Sequence, residues 1–482
     1  MGYAKHLFQV LFLIIGFLWL SACDEVRRIA DIPLGTGHSA HELCSRVFVS
    51  GQDPALIIED ILVQKVYPLQ WIWKLDINVD EQMVSVGAPF STRFHNATAV
   101  HREGQGCTVL HGQRGDGEAL ARLRETAIET VVPGVALPDD QYWPDGSLGV
   151  TSEVGAYDGD AIERMMDGMF EEFSTHRFEQ INTYAVLLVH DGRLVAERYA
   201  PGHTQENRML GWSISKSITA LLLGILHEQG DIDLSDVVAL EHSHDHEVTV
   251  QHVLNMASGL DFNEGYEGES DISRMLYLEA DASAYARSRP LRHEPGTRFY
   301  YSTGDTQILS DIIQLAVGGT AQSAHEFYQG ALFHRLSIQS AVVEHDAAGT
   351  FIGGARMFMT ARDWARIGLL MLNEGRWNGE EIVSKEWIEA MVTPSPAYDG
   401  YGGQVWLYEP ETFGEAFPKD AYALWGVLGQ LVVVVPSRDL VLVRLGAHGG
   451  ALPEEIASKT VFAPMLEMMQ SLPGTVGDLG SE

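Results

Sequence analysis

The chain has 482 residues, 45% of them hydrophobic and 20% charged, which provides for a sizeable core and excludes disordered, collagen-like and coiled-coil classes. Its 32 basic residues against 66 acidic ones leave a net charge of −34. The acidic side chains are spread along the chain rather than gathered in a tail. They form a solvated surface that repels phosphate backbones, so nucleic acid is excluded as a partner.

Met1 to Ala22 carry the pattern of an export signal: Lys5, then the apolar stretch Leu7 to Leu20, shorter than the ~20 residues that span a bilayer. The stretch closes on Leu20-Ser21-Ala22-Cys23, which resembles a bacterial lipobox. That resemblance implies a lipid on Cys23, anchorage to a membrane through it, and residence at the periplasmic face of a bacterial membrane. Residues 23–37 are expected to be a tether. Residues 38–137 carry short β-like runs, such as Arg46-Val47-Phe48-Val49 and Cys107-Thr108-Val109-Leu110, and predict a smaller β-rich N-terminal domain. Within it Cys44 and Cys107 are open to two readings, a disulfide permitted by export or two separate buried thiols. Gly35-Thr36-Gly37-His38-Ser39-Ala40 imitates a dinucleotide loop, but no strand precedes it.

A stretch rich in Pro, Asp and Gly marks residues 138–160 as a linker. Ala161 to Phe173 predicts a helix, and Tyr184 to Tyr199 a hairpin turning at Asp191-Gly192. From Ile214 the positions Ile218, Leu221, Leu222, Ile225 and Leu226 keep helical spacing. Thr360-Ala361-Arg362-Asp363 resembles a capping box opening a helix through Leu372. Leu431 to Val435 and Leu440 to Leu445 predict a second hairpin. The fold class is therefore α+β, an antiparallel sheet flanked by helices over residues 161–472, with 473–482 as a tail.

Ser213-Ile214-Ser215-Lys216 is an S-x-x-K at the start of the predicted helix. Residues three apart share a helix face, so Lys216 reaches the Ser213 hydroxyl. The positive helix end favours an oxyanion there, and a lysine in an apolar pocket loses basicity enough to accept the serine proton. Gly211-Trp212-Ser213-Ile214-Ser215-Lys216-Ser217, Leu254-Asn255-Met256-Ala257-Ser258-Gly259-Leu260, Pro295-Gly296-Thr297-Arg298-Phe299-Tyr300-Tyr301-Ser302-Thr303 and Gly426-Val427-Leu428-Gly429-Gln430 follow in order. Together they resemble the serine β-lactamase and penicillin-binding-protein superfamily, on its class C and esterase side, and within it the 6-aminohexanoate-dimer hydrolase group.

The resemblance implies a β-lactamase/transpeptidase-like fold and a serine hydrolase acting on a small amide, ester or lactam through an acyl-Ser213 intermediate. It makes Ser213 the nucleophile, with Lys216 and Tyr301 sharing the base role. Thr303 stands where the tyrosine motif usually has Asn or Ser, and the backbone N–H groups of Ser213 and Gln430 correspond to the oxyanion hole. Thr303, Trp212, Val427 and Gly429 fall among the substrate-binding positions. Val427 departs from the family's Lys or His, which argues against carboxylate-bearing penicillins and for neutral esters or linear amides. The other reading is a ligand-binding or sensing module that does not turn over. No cofactor and no metal are expected; His242-Ser243-His244-Asp245-His246 has metal-like alternation but sits in a predicted loop. Glu264 and Tyr266, in the Gly-rich loop Phe262–Gly268, have two readings, a substrate contact or, as is usual for polar loop residues, a solvated side chain.

Overall fold

The computed structural model describes residues 32–58, 73–87, 96–110, 117–134, 136–150, 158–172, 180–242, 246–265, 268–448 and 454–470. Cys23 and His244 lie outside them, as do Tyr266 and the export signal.

The first described element is a helix, α1 (Ile32–Cys44), so the expected tether is already helical and buried from Leu34 onward. The two glycines of the nucleotide-like motif permit close packing on this helix. A Cβ at Gly35 would lie 2.7 Å from the Trp73 ring, and one at Gly37 would lie 2.8 Å from the Tyr277 carbonyl oxygen. The β-like run Arg46 to Val49 is not a strand either. It continues the helix as a wide turn, Ser45–Val49, because Ser45 is tied to Glu344 and Arg46 to Glu42. Tertiary anchors have overridden a β-branched pattern.

Strands β1 (Lys74–Asn78), β2 (Met83–Gly87), β3 (Asn96–Arg102) and β4 (Gly106–Leu110) form an antiparallel meander, and α1 lies across it. Cys44 of the helix and Cys107 of β4 are joined by a disulfide. This β-rich unit is not separate: its apolar residues belong to the same cluster as the core of the main body. The expected linker is also partly packed. Trp143 is buried beneath the Arg366 guanidinium, which also donates to the Pro144 carbonyl at 2.7 Å.

The main body begins with α2 (Gly159–Phe170), capped by the Asp158 carboxylate. The predicted hairpin is β5 (Thr183–His190) and β6 (Arg193–Tyr199), and the long apolar helix is α3 (Ile214–Gln229). Then come α4 (Thr303–Ala316) and α5 (Ala361–Leu372), the latter capped by the Thr360 hydroxyl. Strands β7 (Trp406–Leu407), β8 (Tyr422–Gly426), β9 (Gln430–Val435) and β10 (Leu440–Gly446) precede α6 (Ala463–Gln470). Among the described residues these strands make a six-stranded antiparallel sheet in the order β7-β8-β9-β10-β5-β6.

Both faces of this sheet are covered, which is why β9 and β10 are almost wholly apolar. Val432, Val434, Val441 and Val443 face the core shared with α3 and α5. Leu431, Val433, Val435 and Leu442 face a second cluster with α2 and α6. The fold is α+β, an antiparallel sheet flanked by helices, as the sequence predicts. The α3 N-terminus opens beside the turn that joins β8 to β9.

Candidate active site

Ser213 precedes the first turn of α3, and among the described residues its side chain caps no helix N–H, which leaves Oγ for other work. Trp212 just before it adopts φ +49°, a left-handed conformation costly for a bulky residue and sustained only by its surroundings. Those surroundings are the short strand Met357–Met359 and the segment leading to it. Gly211 N–H donates to the Met357 carbonyl at 3.0 Å, and Met357 N–H donates to Ser215 Oγ at 3.2 Å. A Cβ at Gly211 would fall 2.4 Å from the Trp364 ring, so only glycine admits this packing. Trp212 itself is buried, with the Arg356 guanidinium 5.5 Å from its ring. Its indole packs into the core beside Ser213.

Lys216 follows one helical turn later and is 1% exposed. Its Nζ lies 3.1 Å from Ser213 Oγ, 2.9 Å from Thr303 Oγ1 and 2.7 Å from the Gly354 carbonyl oxygen. Burial pushes the ammonium down to about 8, with the Glu264 carboxylate pulling the other way. Half the population is then a neutral amine near pH 8, within hydrogen-bond reach of the serine.

Tyr301 comes from the loop before α4 and is half-buried. Its ring centroid lies 5.0 Å from Lys216 Nζ, and its hydroxyl is close enough to Ser213 to feel it electrostatically. Burial and the charge of Glu264 raise the phenol above its ordinary range, against a smaller opposite effect of Ser213. The hydroxyl is therefore held in its protonated form, whereas burial pushes Lys216 toward the neutral amine. Tyr301 stacks on Trp406 at 5.3 Å, and the Tyr401 ring stands edge-on at 6.0 Å. Trp406 and Tyr401 were not singled out in the sequence.

The Gly-rich loop supplies Glu264, which is half-buried and clasps Thr303 twice. It accepts from the Thr303 backbone N–H at 2.8 Å and from the Thr303 hydroxyl. Thr303 thus links Glu264 to Lys216.

On the other side of Ser213, β8 ends at Gly426 and β9 begins at its register partner Gln430. A Cβ at Gly426 would stand 3.1 Å from Ser213 N and 2.3 Å from the Gly211 carbonyl oxygen, so this turn closes directly on Ser213. Leu428 (φ +66°) and Gly429 (φ +81°) make the tight reversal, and Val427 is half-buried beside them. The Gln430 side chain locks the turn from within, donating to the Gly446 carbonyl at 2.6 Å. Arg444, 1% exposed, donates to the Gly429 carbonyl at 2.6 Å. A lone arginine in the apolar run Leu440–Gly446 was the available sign of that buried support. Two backbone N–H groups beside the positive end of α3 are suited to a developing oxyanion.

His242 and His246 are exposed, apart from this cluster. Among the described residues no group of three His, Cys, Asp or Glu side chains is arranged to hold a metal.

A family model described as Beta-lactamase matches residues 166–457. The 6-aminohexanoate-dimer hydrolase of Paenarthrobacter ureafaciens is 28% identical over 301 residues, covering 56% of this chain and 74% of that protein. A solved structure from Bacillus anthracis, itself provisionally assigned as a 6-aminohexanoate-dimer hydrolase, superposes with a TM-score of 0.53. It is 23% identical, and the match covers 61% of this chain and 81% of that one. A penicillin-binding-protein homologue from Caulobacter crescentus superposes with a TM-score of 0.50 at 15% identity, over 64% and 98% of the two chains. At these identities the two structures speak for the fold alone.

Proposed function

Because the chain belongs to the β-lactamase family, whose model spans residues 166–457, we propose that it is a serine hydrolase cleaving small neutral amides or esters through an acyl-Ser213 intermediate. The observation that carries this reading is the buried Lys216 amine, 3.1 Å from Ser213 Oγ. Ser213 gives its proton to neutral Lys216 as Oγ attacks the substrate carbonyl carbon. The oxyanion is received by the N–H groups of Ser213 and Gln430. On collapse, protonated Tyr301 donates to the leaving amine or alcohol and is reprotonated from Lys216. Water then repeats the cycle on the acyl ester and releases the acid.

The electrostatics of the pocket support a neutral or cationic substrate. Val427 offers no cation to a substrate carboxylate, Glu264 places a carboxylate on Thr303, next to Lys216, and the molecule carries −34 overall. The name of the Paenarthrobacter relative, a hydrolase of an aminohexanoate dimer, favours linear amides among these substrates; such a dimer is a zwitterion, neutral overall.

The test is turnover of a panel of p-nitrophenyl esters, linear ω-amino amide dimers and a chromogenic cephalosporin, each with wild type and Ser213→Ala. Ester or linear-amide hydrolysis lost in Ser213→Ala is the expected result. Burst labelling without turnover on any substrate would favour the binding-module reading.

The sequence of residues 1–23 also supports export and lipidation at Cys23, and a disulfide between Cys44 and Cys107 is compatible with an oxidising compartment. Cys23→Ser should move the protein from the membrane fraction to the soluble one; retention in membranes would contradict the anchor.

A further inference from the structure

Counting protons around Lys216 assigns a role to a residue that neither the serine motif nor the tyrosine motif contains. Nζ has three partners: Ser213 Oγ, Thr303 Oγ1 and the Gly354 carbonyl. A neutral amine has two N–H donors and one lone pair. The Gly354 carbonyl only accepts, so it takes one N–H. Thr303 Oγ1 can donate or accept, and which it does decides where the lone pair goes. If Thr303 aims its hydrogen at Nζ, it occupies the lone pair, and Lys216 can only donate to Ser213. If Thr303 sends its hydrogen elsewhere, it takes the second N–H and the lone pair is left for the Ser213 hydroxyl.

The structure sends it elsewhere. The Thr303 hydroxyl donates to one oxygen of Glu264, while the other oxygen accepts the Thr303 backbone N–H at 2.8 Å. A carboxylate is acceptor-only when ionised. Bound through both oxygens, it fixes the hydroxyl rotor.

We infer that Glu264 is a positioning residue for the acylation step: by taking the Thr303 hydroxyl proton it makes that oxygen an acceptor and aims the Lys216 lone pair at Ser213. The inference rests on the acyl-serine reading and deepens it. Glu264 touches no reacting atom; it acts through Thr303. Its charge also bears on Lys216, opposing the effect of burial. The other titratable groups in its field are Tyr301, Tyr401 and Asp305, the last hydrogen-bonded to Ser258.

Glu264→Gln tests this with little change of shape. Its amide N–H can donate to Thr303 Oγ1, turning the hydroxyl hydrogen toward Lys216. The readout is the rate of Ser213 labelling by a fluorophosphonate, followed by intact mass across pH 6–10. Serine attack forms the Oγ–P bond, expels fluoride and passes the proton to Lys216. Labelling in Glu264→Gln is expected to be ~10-fold or more slower on the alkaline plateau. Its acid limb should move to lower pH, because the anion that favours protonated Lys216 is gone. Thr303→Val should slow labelling similarly, and the double variant should be no slower than the slower single one, since the two residues act as one unit. Wild-type rate and pH profile in Glu264→Gln, or losses that multiply in the double variant, would overturn the inference while leaving the nucleophile in place. Labelling of Ser213→Ala at the wild-type rate would overturn both.

Discussion

Lys216 owes its reactivity to burial. An ammonium with 1% exposure loses its hydration, and the three contacts it keeps do not fully restore it, so its pKa falls to about 8. The direction sets the pH dependence: the active base is the unprotonated form, so acylation should rise as pH increases through about 8 and flatten above it. A rate that falls through that range would contradict the assignment of Lys216 as base. Tyr301 has the opposite bias and stays protonated, so Tyr301→Phe should slow expulsion of a poor amide leaving group more than a p-nitrophenolate, by roughly 10²-fold for the amide. Steady-state rates on matched amide and ester substrates check this. Ser213 and Lys216 were legible in the sequence because their relation is local, one helical turn apart. Glu264 was not: its loop leaves two readings open, and only the fold brings it to Thr303, 39 residues along the chain.

At the scale of elements, the turn between β8 and β9 is held in shape from beneath by a buried side chain. Gly429 at φ +81° has no room for the conformational cost of a Cβ, and Arg444 fills the space beneath with hydrogen bonds to the Leu428 and Gly429 carbonyls. Arg444→Met keeps the volume and removes the bonds, and it is expected to lower kcat by ~10²-fold through a misplaced Gln430 N–H, with KM changed far less. An equal change in KM alone would assign the turn to binding instead. The hairpins β5–β6 and β9–β10 were legible because turn residues and apolar runs are adjacent in the chain. Arg46 to Val49 misled, since its β-like pattern says nothing of the Ser45 to Glu344 bond, 299 residues apart, that holds it in a helical turn.

Across the whole molecule, the N-terminal unit is built into the body that carries the site. Arg356, fully buried, sits between Glu42 of α1 and Glu344, and its guanidinium covers Trp212 next to the nucleophile. Cys107 N–H donates to Glu344 at 2.9 Å, so the disulfide is tied to the same cluster. Burial, the largest single effect, would raise Glu42 and Glu344, but Arg356 together with Arg46 and His38 at Glu42, and with His41 and Ser45 at Glu344, overcomes it and holds both down to about 2. The stability this cluster contributes is complete above pH about 4.5 and is lost as pH falls toward 2. Cys44→Ser/Cys107→Ser opens a loop of 63 residues and should cost roughly 4 kcal/mol in denaturant unfolding. Glu42→Ala should cost about 3 kcal/mol, leaving part of the Arg356 charge uncompensated. No loss of stability in either would mean that the unit is an appendage.

Intact mass after incubation with a fluorophosphonate shows whether the serine at 213 is activated. One phosphonyl adduct on the wild type and none on Ser213→Ala is the expected result. An adduct of equal yield on Ser213→Ala, or none on a folded wild type at pH 9, would contradict it.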